Sequence, residues 1–426
     1  MTNQLLVDNS AVSDQSEAPA LRPAPPLGLG AAWIGAEEEE LILDVVRRKQ
    51  PFRYYGRGST PPPMCATLEK EFREMVGTKY ALAVTSGTAA LETALGALGV
   101  GPGDEVILPA WSWVSCFTAV VRMGALPVLA EIDETFCLAP GEIARLSTPQ
   151  TKAVIIVHFQ GVAADMEPLL KEAREANIKV LEDCAESCGA YYKNQRIGSW
   201  GDIGIFSFQF QKTITSGEGG MVVTDDSSLY ERAVRMHDIG NYRPYHHQVL
   251  EPQETGFCGS QFRMSELTGA MALGQLRKLD KIRNHCRALQ TRIVAQIKDL
   301  PGIELRHIPD PQGDSGFEVY LCLPCAEQAS TLRHELHKLN VHCQQMTGTY
   351  CHYARDYCRS AKAHAPAASP FKEFSEWPAR GYRAEDFPRT ENLISRFVAL
   401  PLGVLYSADD ADYIASCVRY AYCSIT

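Results

Sequence analysis

No uncharged apolar run approaches the length of about 18 residues that a membrane-spanning helix needs, so the chain is not expected to cross a bilayer. Positive charge is also in short supply. The 41 Lys and Arg are outnumbered by 51 Asp and Glu, for a formal net charge of -10, and binding along a nucleic-acid backbone needs concentrated basic residues. An anionic small substrate remains compatible with that balance. The first residues carry no basic segment followed by an apolar core, which argues against a secretory leader. Cysteine, at 14 in 426 residues, is too sparse for a disulfide-stapled scaffold and forms no paired CxxC modules. The thiols are expected as small buried hydrophobes of a soluble, cytoplasmic protein. There is no internal repeat, and no Cys/His spacing suits a first shell, so no metal is expected.

What the sequence does have is 45% hydrophobic residues, enough for a large core and more than one domain. Residues 1–30, rich in Ser, Ala, Pro and Gly, read as a flexible tail or an arm laid on another surface. Helices are predicted over 37–48 and, after the break Pro61-Pro62-Pro63, over 64–76. From about residue 80 to 235, short apolar runs alternate with helical ones. Strands are predicted at 80–84, 105–108, 126–132, 153–158, 180–182, 203–207 and 220–224, with helices at 89–98, 114–123 and 166–176. The alternation implies an α/β fold whose mostly parallel sheet is covered on both faces. Such sheets bind ligands beyond the carboxyl ends of their strands. A large domain over 31–285 and a smaller C-terminal α+β domain over 286–426 are expected, the latter with strand then helix at 313–323 and 327–339 and a last helix at 410–420. Between them, 347–388 is long for a plain connection and is expected to cover the active site or meet a partner.

Three motifs meet that geometric filter. In Val84-Thr85-Ser86-Gly87-Thr88-Ala89-Ala90 a β-rich run passes into a helical one, where free backbone N–H groups and short hydroxyls can hold a phosphate. Alone, a Ser or Thr there is more often an ordinary cap. Val180-Leu181-Glu182-Asp183 ends a strand in an acidic pair, and a carboxylate there can face a protonated pyridine nitrogen. Alone, it is more often a turn residue. Lys212 follows the strand 203–207 and precedes the glycine-dense Ser216-Gly217-Glu218-Gly219-Gly220. Most lysines are solvated surface charges, but one placed here could form a Schiff base. The pattern supports an α/β enzyme with an anion site and a carboxylate, without naming a reaction.

The order and spacing of further landmarks narrow the reading. These are Ser86-Gly87-Thr88-Ala89-Ala90, Gly99-Val100-Gly101-Pro102-Gly103-Asp104-Glu105-Val106-Ile107 with Pro109, Glu182-Asp183, Gly198-Ser199-Trp200-Gly201-Asp202, Ser207-Phe208 with Lys212, Gly217-Glu218-Gly219-Gly220 and Arg263-Met264-Ser265-Glu266. Together they resemble the sugar and cyclitol aminotransferases of the DegT/DnrJ/EryC1/StrS family, closely from about 36 to 290 and more loosely beyond. The resemblance implies fold type I, like that of aspartate aminotransferases, with a seven-stranded sheet, and pyridoxal 5'-phosphate as cofactor. It implies that Lys212 forms the Schiff base and moves the proton, and that Asp183 faces the pyridine nitrogen. Gly87, Thr88 and Ser207 match the phosphate-binding positions, and Trp113 falls at the ring-stacking aromatic. Glu186 stands near the cofactor hydroxyl where Gln or His is usual, so a proton or altered hydrogen bonding is needed there. Gln160 replaces a frequent Tyr, and Gln261 sits where an Asn of the partner chain usually reaches the phosphate.

The implied reaction takes an amino group from glutamate or glutamine and delivers it to a keto-sugar or keto-cyclitol. A homodimer with shared active sites is expected, with Gln160, His246 and Arg263 as candidate substrate contacts. The His246-His247 pair is otherwise an exposed polar loop. Glu131-Ile132-Asp133-Glu134-Thr135, Lys212-Thr213-Ile214-Thr215, Ile308-Pro309-Asp310-Pro311 with Gly313-Asp314-Ser315, and Lys362-Ala363 resemble the branch that makes 8-amino-3,8-dideoxy-octulosonate. An antibiotic-pathway keto-sugar or cyclitol fits nearly as well. Two other readings stand beside this one. A dehydratase of the same fold would carry His in place of Lys212, and a non-enzymatic cofactor-binding protein would not need Lys212, Asp183 and the phosphate positions intact.

Overall fold

The computed structural model describes residues 18–26, 28–54, 63–345, 348, 350–360, 362–372 and 381–425. The strands among them are β1 (Tyr80–Val84), β2 (Glu105–Pro109), β3 (Leu126–Ala130), β4 (Thr151–Val157), β5 (Lys179–Asp183), β6 (Tyr191–Tyr192), β7 (Gln195–Arg196), β8 (Ile203–Ser207), β9 (Gly220–Thr224), β10 (Glu304–Leu305), β11 (Glu318–Cys322) and β12 (Phe397–Pro401). Seven of them form one sheet in the order β1-β9-β8-β5-β4-β2-β3. From β8 to β3 the neighbours run parallel, while β9 lies antiparallel between β1 and β8. β1 therefore points the same way as the parallel set, and all six carboxyl ends face one edge.

Burial explains why these segments became central strands. β2, β8 and β9 are buried along their whole length, as expected of strands covered on both faces. The helix Gly87–Ala97 is buried from Ala89 to its end, and its Ala-rich sequence lets it lie close against the sheet. It begins two residues earlier than predicted because Ser86 acts as its N-cap, with Oγ accepting the Ala89 N–H at 3.0 Å.

The smaller sheet, β10-β11-β12, sits between two hydrophobic clusters. Tyr320, Phe397 and Ala399 face the main core, while Val319, Leu321, Val398 and Leu400 face the second, as strand alternation requires. The helix Leu279–Ile297 runs unbroken past the division expected at 285/286. Its Leu279, Ile282 and Cys286 belong to the main core, and Leu289, Ile293 and Ile297 belong to the second.

Several elements had escaped the sequence reading, among them the helices Ser227–His237, Glu266–Leu276 and Leu279–Ile297 and the strands β10 and β12. Glu266–Leu276 is buried on most of its surface and so shows no polar face to mark its period. The predicted strand 313–323 shrinks to β11, because Asp310 to Phe317 is spent on turns. There Tyr191 N–H donates to Gly313 O, and Ser315 N–H donates to Gly161 O. Residues 1–17 of the expected tail, Pro61-Pro62 and parts of 347–388 lie outside the described residues. Near Arg22 the described arm rests on the last helix, with Arg22 stacked on Tyr413 and its carbonyl accepting from Asn340 Nδ2 at 2.9 Å. Among the described residues no helix is long and apolar enough to cross a membrane.

Candidate active site

The carboxyl ends of β1, β5 and β8 open into one cavity with about 820 Å³ of empty space, its mouth included. Gly87, Thr88, Trp113, Asp183, Glu186, Ser207 and Lys212 all line it, so most of the residues singled out in the sequence meet at one place. Ser86, Ser115, Gln209, Gln211, Glu218 and Tyr350 add to its polar wall.

One side is a cradle of small groups. A β-carbon on Gly87 would come within 2.7 Å of Ser207 Cβ and 2.9 Å of its Oγ, so only glycine lets strand β8 and the helix N-terminus approach this closely. Thr88 Oγ1 donates to Ser115 Oγ at 3.0 Å, and Ser207 Oγ accepts from the Gln209 N–H at 3.3 Å. With the first N–H groups of the Gly87–Ala97 helix, these hydroxyls form a donor set suited to a phosphate.

On the floor, strand alternation separates the acidic pair that ends β5. Glu182 is fully buried and accepts from the N–H groups of Gly198, Trp200 and Gly201 at 2.7–2.8 Å. The Ala164 N–H donates to His158 Nδ1, so His158 Nε2 carries the hydrogen and donates to Glu182 at 2.9 Å. His158, Glu182 and Cys184 converge within 4.8 Å, but the first two spend their polar atoms on this internal anchor. Asp183 faces the cavity instead. Its Oδ1 accepts the Ala185 N–H at 2.9 Å, and its Oδ2 accepts the Cys116 thiol at 3.0 Å. Burial and that carboxylate push the thiol well up, so Cys116 stays a neutral donor.

Lys212 sits on a loop folded onto itself, where Phe208 O accepts from the Ser216 N–H and Thr215 Oγ1, and the Lys212 N–H donates to Gln209 O. Its Nζ lies 3.3 Å from Glu186 Oε1. Burial raises the Glu186 carboxyl, the Lys212 charge pulls it down, and Asp183 raises it again. Glu186 Oε2 is buried without a partner among the described residues. Trp113 is 44% exposed and stands over the cavity beside Tyr350, in an edge contact at 5.6 Å.

Four predicted residues are not brought into the cavity of this protomer. Gln160 stands behind its wall, in the left-handed region at φ 46°, and engages Tyr350. Gln261 is exposed on the outer surface, while Arg263 is partly buried and held by an ion pair with the buried Asp238. His246 corrects the picture of an exposed His-His loop. It is fully buried, with Tyr54 on Nε2 at 3.0 Å and Tyr230 on Nδ1 at 3.0 Å, whereas His247 is exposed. Both ring nitrogens are used to fasten the loop, which leaves none for a ligand.

Tyr350 and Cys116 were missed in the sequence. Tyr350 falls in a stretch without periodicity, and only tertiary contact brings it to the site. Cys116 follows Trp113 by three residues at a helix start, a spacing that could have flagged it.

The site's features agree with what known proteins show. Residues 56–419 match the profile of the DegT/DnrJ/EryC1/StrS aminotransferase family. The spore coat polysaccharide biosynthesis protein SpsC of Bacillus subtilis (strain 168) is 33% identical over 364 residues, covering 84% of this chain and 89% of that protein. GDP-perosamine synthase of Escherichia coli O157:H7 is 40% identical over 216 residues, 50% of this chain and 57% of that protein. The crystal structure of S. venezuelae DesV, in complex with a ketimine intermediate, superposes with a TM-score of 0.77 at 27% identity, over 93% of this chain and 98% of that one.

Proposed function

The chain belongs to the DegT/DnrJ/EryC1/StrS aminotransferase family, and from that premise we propose that it moves an amino group from glutamate or glutamine onto an octulosonate-like keto-sugar. The coarser reaction, a pyridoxal-phosphate-dependent amino transfer to a sugar or cyclitol, follows from the family and its relatives. One observation carries the finer assignment of roles: an amine, a carboxylate and a glycine-lined hydroxyl cradle share a single cavity.

The residues fit the cofactor. Gly87, Thr88 and Ser207 would hold its phosphate, Asp183 would face its ring nitrogen, and Trp113 would cover the ring. When bound, pyridoxal phosphate supplies the electron sink for amine chemistry. Lys212 Nζ would bind it, take a proton from the carbon on one side of the transferred nitrogen and return it to the carbon on the other side. Asp183, fixed from both sides by Ala185 and Cys116, would help hold a proton on the ring nitrogen. Trp113 and Tyr350 line the same cavity as Lys212 and would narrow its mouth over the bound ring.

The octulosonate-like acceptor is supported by the landmarks Glu131 to Thr135, Ile308 to Pro311 and Lys362-Ala363. A nucleotide-linked keto-sugar is the second reading, favoured by the 40% identity to GDP-perosamine synthase. A homodimer with shared sites is supported by Phe210, 60% exposed beside the Lys212 loop, and by the outward placement of Gln261.

The test is spectroscopic. Cofactor-loaded protein should absorb near about 410–430 nm and convert towards about 330 nm when glutamate or glutamine is added. Aminated protein is then offered 8-keto-octulosonate, nucleotide-linked keto-sugars and keto-cyclitols in parallel. Fastest return of the first band with a nucleotide-linked sugar overturns the octulosonate assignment, and failure of every donor overturns the function.

A further inference from the structure

The N-terminal arm crosses from one hydrophobic cluster to the other. Arg22 stacks on Tyr413 of the second cluster, whereas Leu29 and Trp33 pack against the main core. Between these points Gly28 O accepts the Val404 N–H, and a β-carbon on Gly403 would come within 2.7 Å of that oxygen. Two residues further on, the arm meets the loop that carries Lys212. A β-carbon on Gly30 would collide with Thr213 O, come within 2.6 Å of Gln275 Oε1 and reach 3.0 Å from Ile214 Cα. Gly30 does not sit in the left-handed region, so the requirement is for space alone. Backbone lies against backbone one residue past the amine, and the missing side chain permits it.

Gln275, fully buried on the helix Glu266–Leu276, closes the contact. Its Nε2 donates to Glu38 Oε1 at 3.0 Å and its Oε1 accepts the Thr215 N–H at 3.5 Å, so one amide links the helix that follows the arm to the Lys212 loop. Lys278 secures the same end, with Nζ donating to Trp33 O at 2.9 Å and to Glu38 at 2.6 Å. On the loop, Thr213, Ile214 and Thr215 are all buried, whereas Lys212 lines the cavity. The loop's own hydrogen bonds tie it to Phe208 and Gln209, and the arm and Gln275 supply contacts from outside it.

We infer that the arm backs the Lys212 loop, and that Gly30 and Gln275 are positioning residues for the Lys212 amine. The inference rests on the proposed function for what that amine does, and on packing alone for where it sits. A loop pressed from behind holds its amine at one place in the cavity, and a loop displaced at Thr213 carries it away. Displacing a reacting group by about 1 Å costs up to about a hundredfold in rate. Because the same arm is bound by Val404 and Tyr413, the C-terminal part of the chain and the catalytic loop share one support.

The test compares full-length wild type, Gly30→Ala, Gln275→Met and Gly35→Ala. Gly35 is the control on the same arm, because its backbone is extended and a β-carbon there meets nothing within 4 Å. In cofactor-loaded protein, Gly30→Ala should slow the single-turnover donor half-reaction roughly tenfold to a hundredfold, with little change in cofactor affinity or donor KM. Gln275→Met, which keeps the volume and loses both bonds, should slow it less, and Gly35→Ala not at all. Hydrogen exchange of cofactor-free protein reads the loop without turnover. The Thr215 and Ser216 amides should exchange faster in Gly30→Ala and Gln275→Met than in Gly35→Ala. Equal rates and equal exchange in Gly30→Ala and Gly35→Ala overturn the proposal, as does a loss confined to cofactor affinity. Should Gly30→Ala fail to fold, wild type decides. The hydrogen-bonded amides of Ala32, Val404 and Ser216 should open as one cooperative unit, and a loop that stays protected while the arm opens overturns the support. Borohydride trapping separates this from the proposed function. Wild type that never traps an imine loses the role given to Lys212, whereas the exchange comparison still decides whether the arm holds the loop.

Discussion

Cys116 presents its thiol to Asp183 Oδ2 at 3.0 Å, at the foot of the cavity and out of contact with solvent. A neutral donor on one oxygen and the Ala185 N–H on the other leave Asp183 oriented at the position assigned to the ring nitrogen. Cys116→Ala removes that donor at a cost of about 1 kcal/mol, so single-turnover amino transfer should slow roughly fivefold. Cys116→Ser, which keeps a donor, should stay within about twofold of wild type. Equal rates in all three proteins would show that the thiol only fills space.

Gly87→Ala puts a methyl group where Ser207 already is. Overpacking of this kind costs about 1–3 kcal/mol, and here it falls on the face that would hold the phosphate. Cofactor affinity, measured by equilibrium dialysis, should fall roughly tenfold to a hundredfold, while the far-ultraviolet spectrum is retained. Unchanged affinity would move the phosphate away from the Gly87–Ala97 helix.

Lys212→Ala should abolish borohydride trapping and lower turnover by a factor of at least about 10²–10⁴, the usual worth of a positioned acid-base group. The cavity walls stay in place, so the variant should still take up cofactor without a covalent bond. Trapping that persists in the variant would place the imine on another lysine.

Acid should loosen the protein from below neutral pH. Burial pushes His237 and His352 down to about 3, and His246 lies well below the ordinary histidine range. These rings stay neutral when folded but gain a proton when unfolded. Stability is therefore present above about pH 6.5 and is lost as pH falls towards 3, by up to about 1.4 kcal/mol per ring for each pH unit. Melting temperature should drop on going from pH 7 to pH 5, and less so in His237→Gln. A flat profile would mean that the rings are protonated in the fold.

Much of the catalytic half was legible because its signals are local. A strand end, a cap and a glycine-dense turn are fixed by neighbours in the chain, so Gly87, Asp183, Ser207 and Lys212 could be picked out and meet in one cavity. The helix Glu266–Leu276 was not legible, since burial on most sides erases the polar stripe that marks helical period. Tyr350 was not legible for a different reason. It reaches the cavity from a stretch whose place depends on packing against Trp111 and Phe159.

By itself, the sequence determined the alternating α/β plan, the strand order's raw materials and the chemical types gathered at the carboxyl edge, because each rests on spacing within a few residues. Tertiary structure alone decided which of two adjacent carboxylates faces the cavity and sealed His246 behind Tyr54 and Tyr230. Those outcomes depend on which surfaces meet once the chain is folded, and contacts between separate elements leave no mark on local pattern.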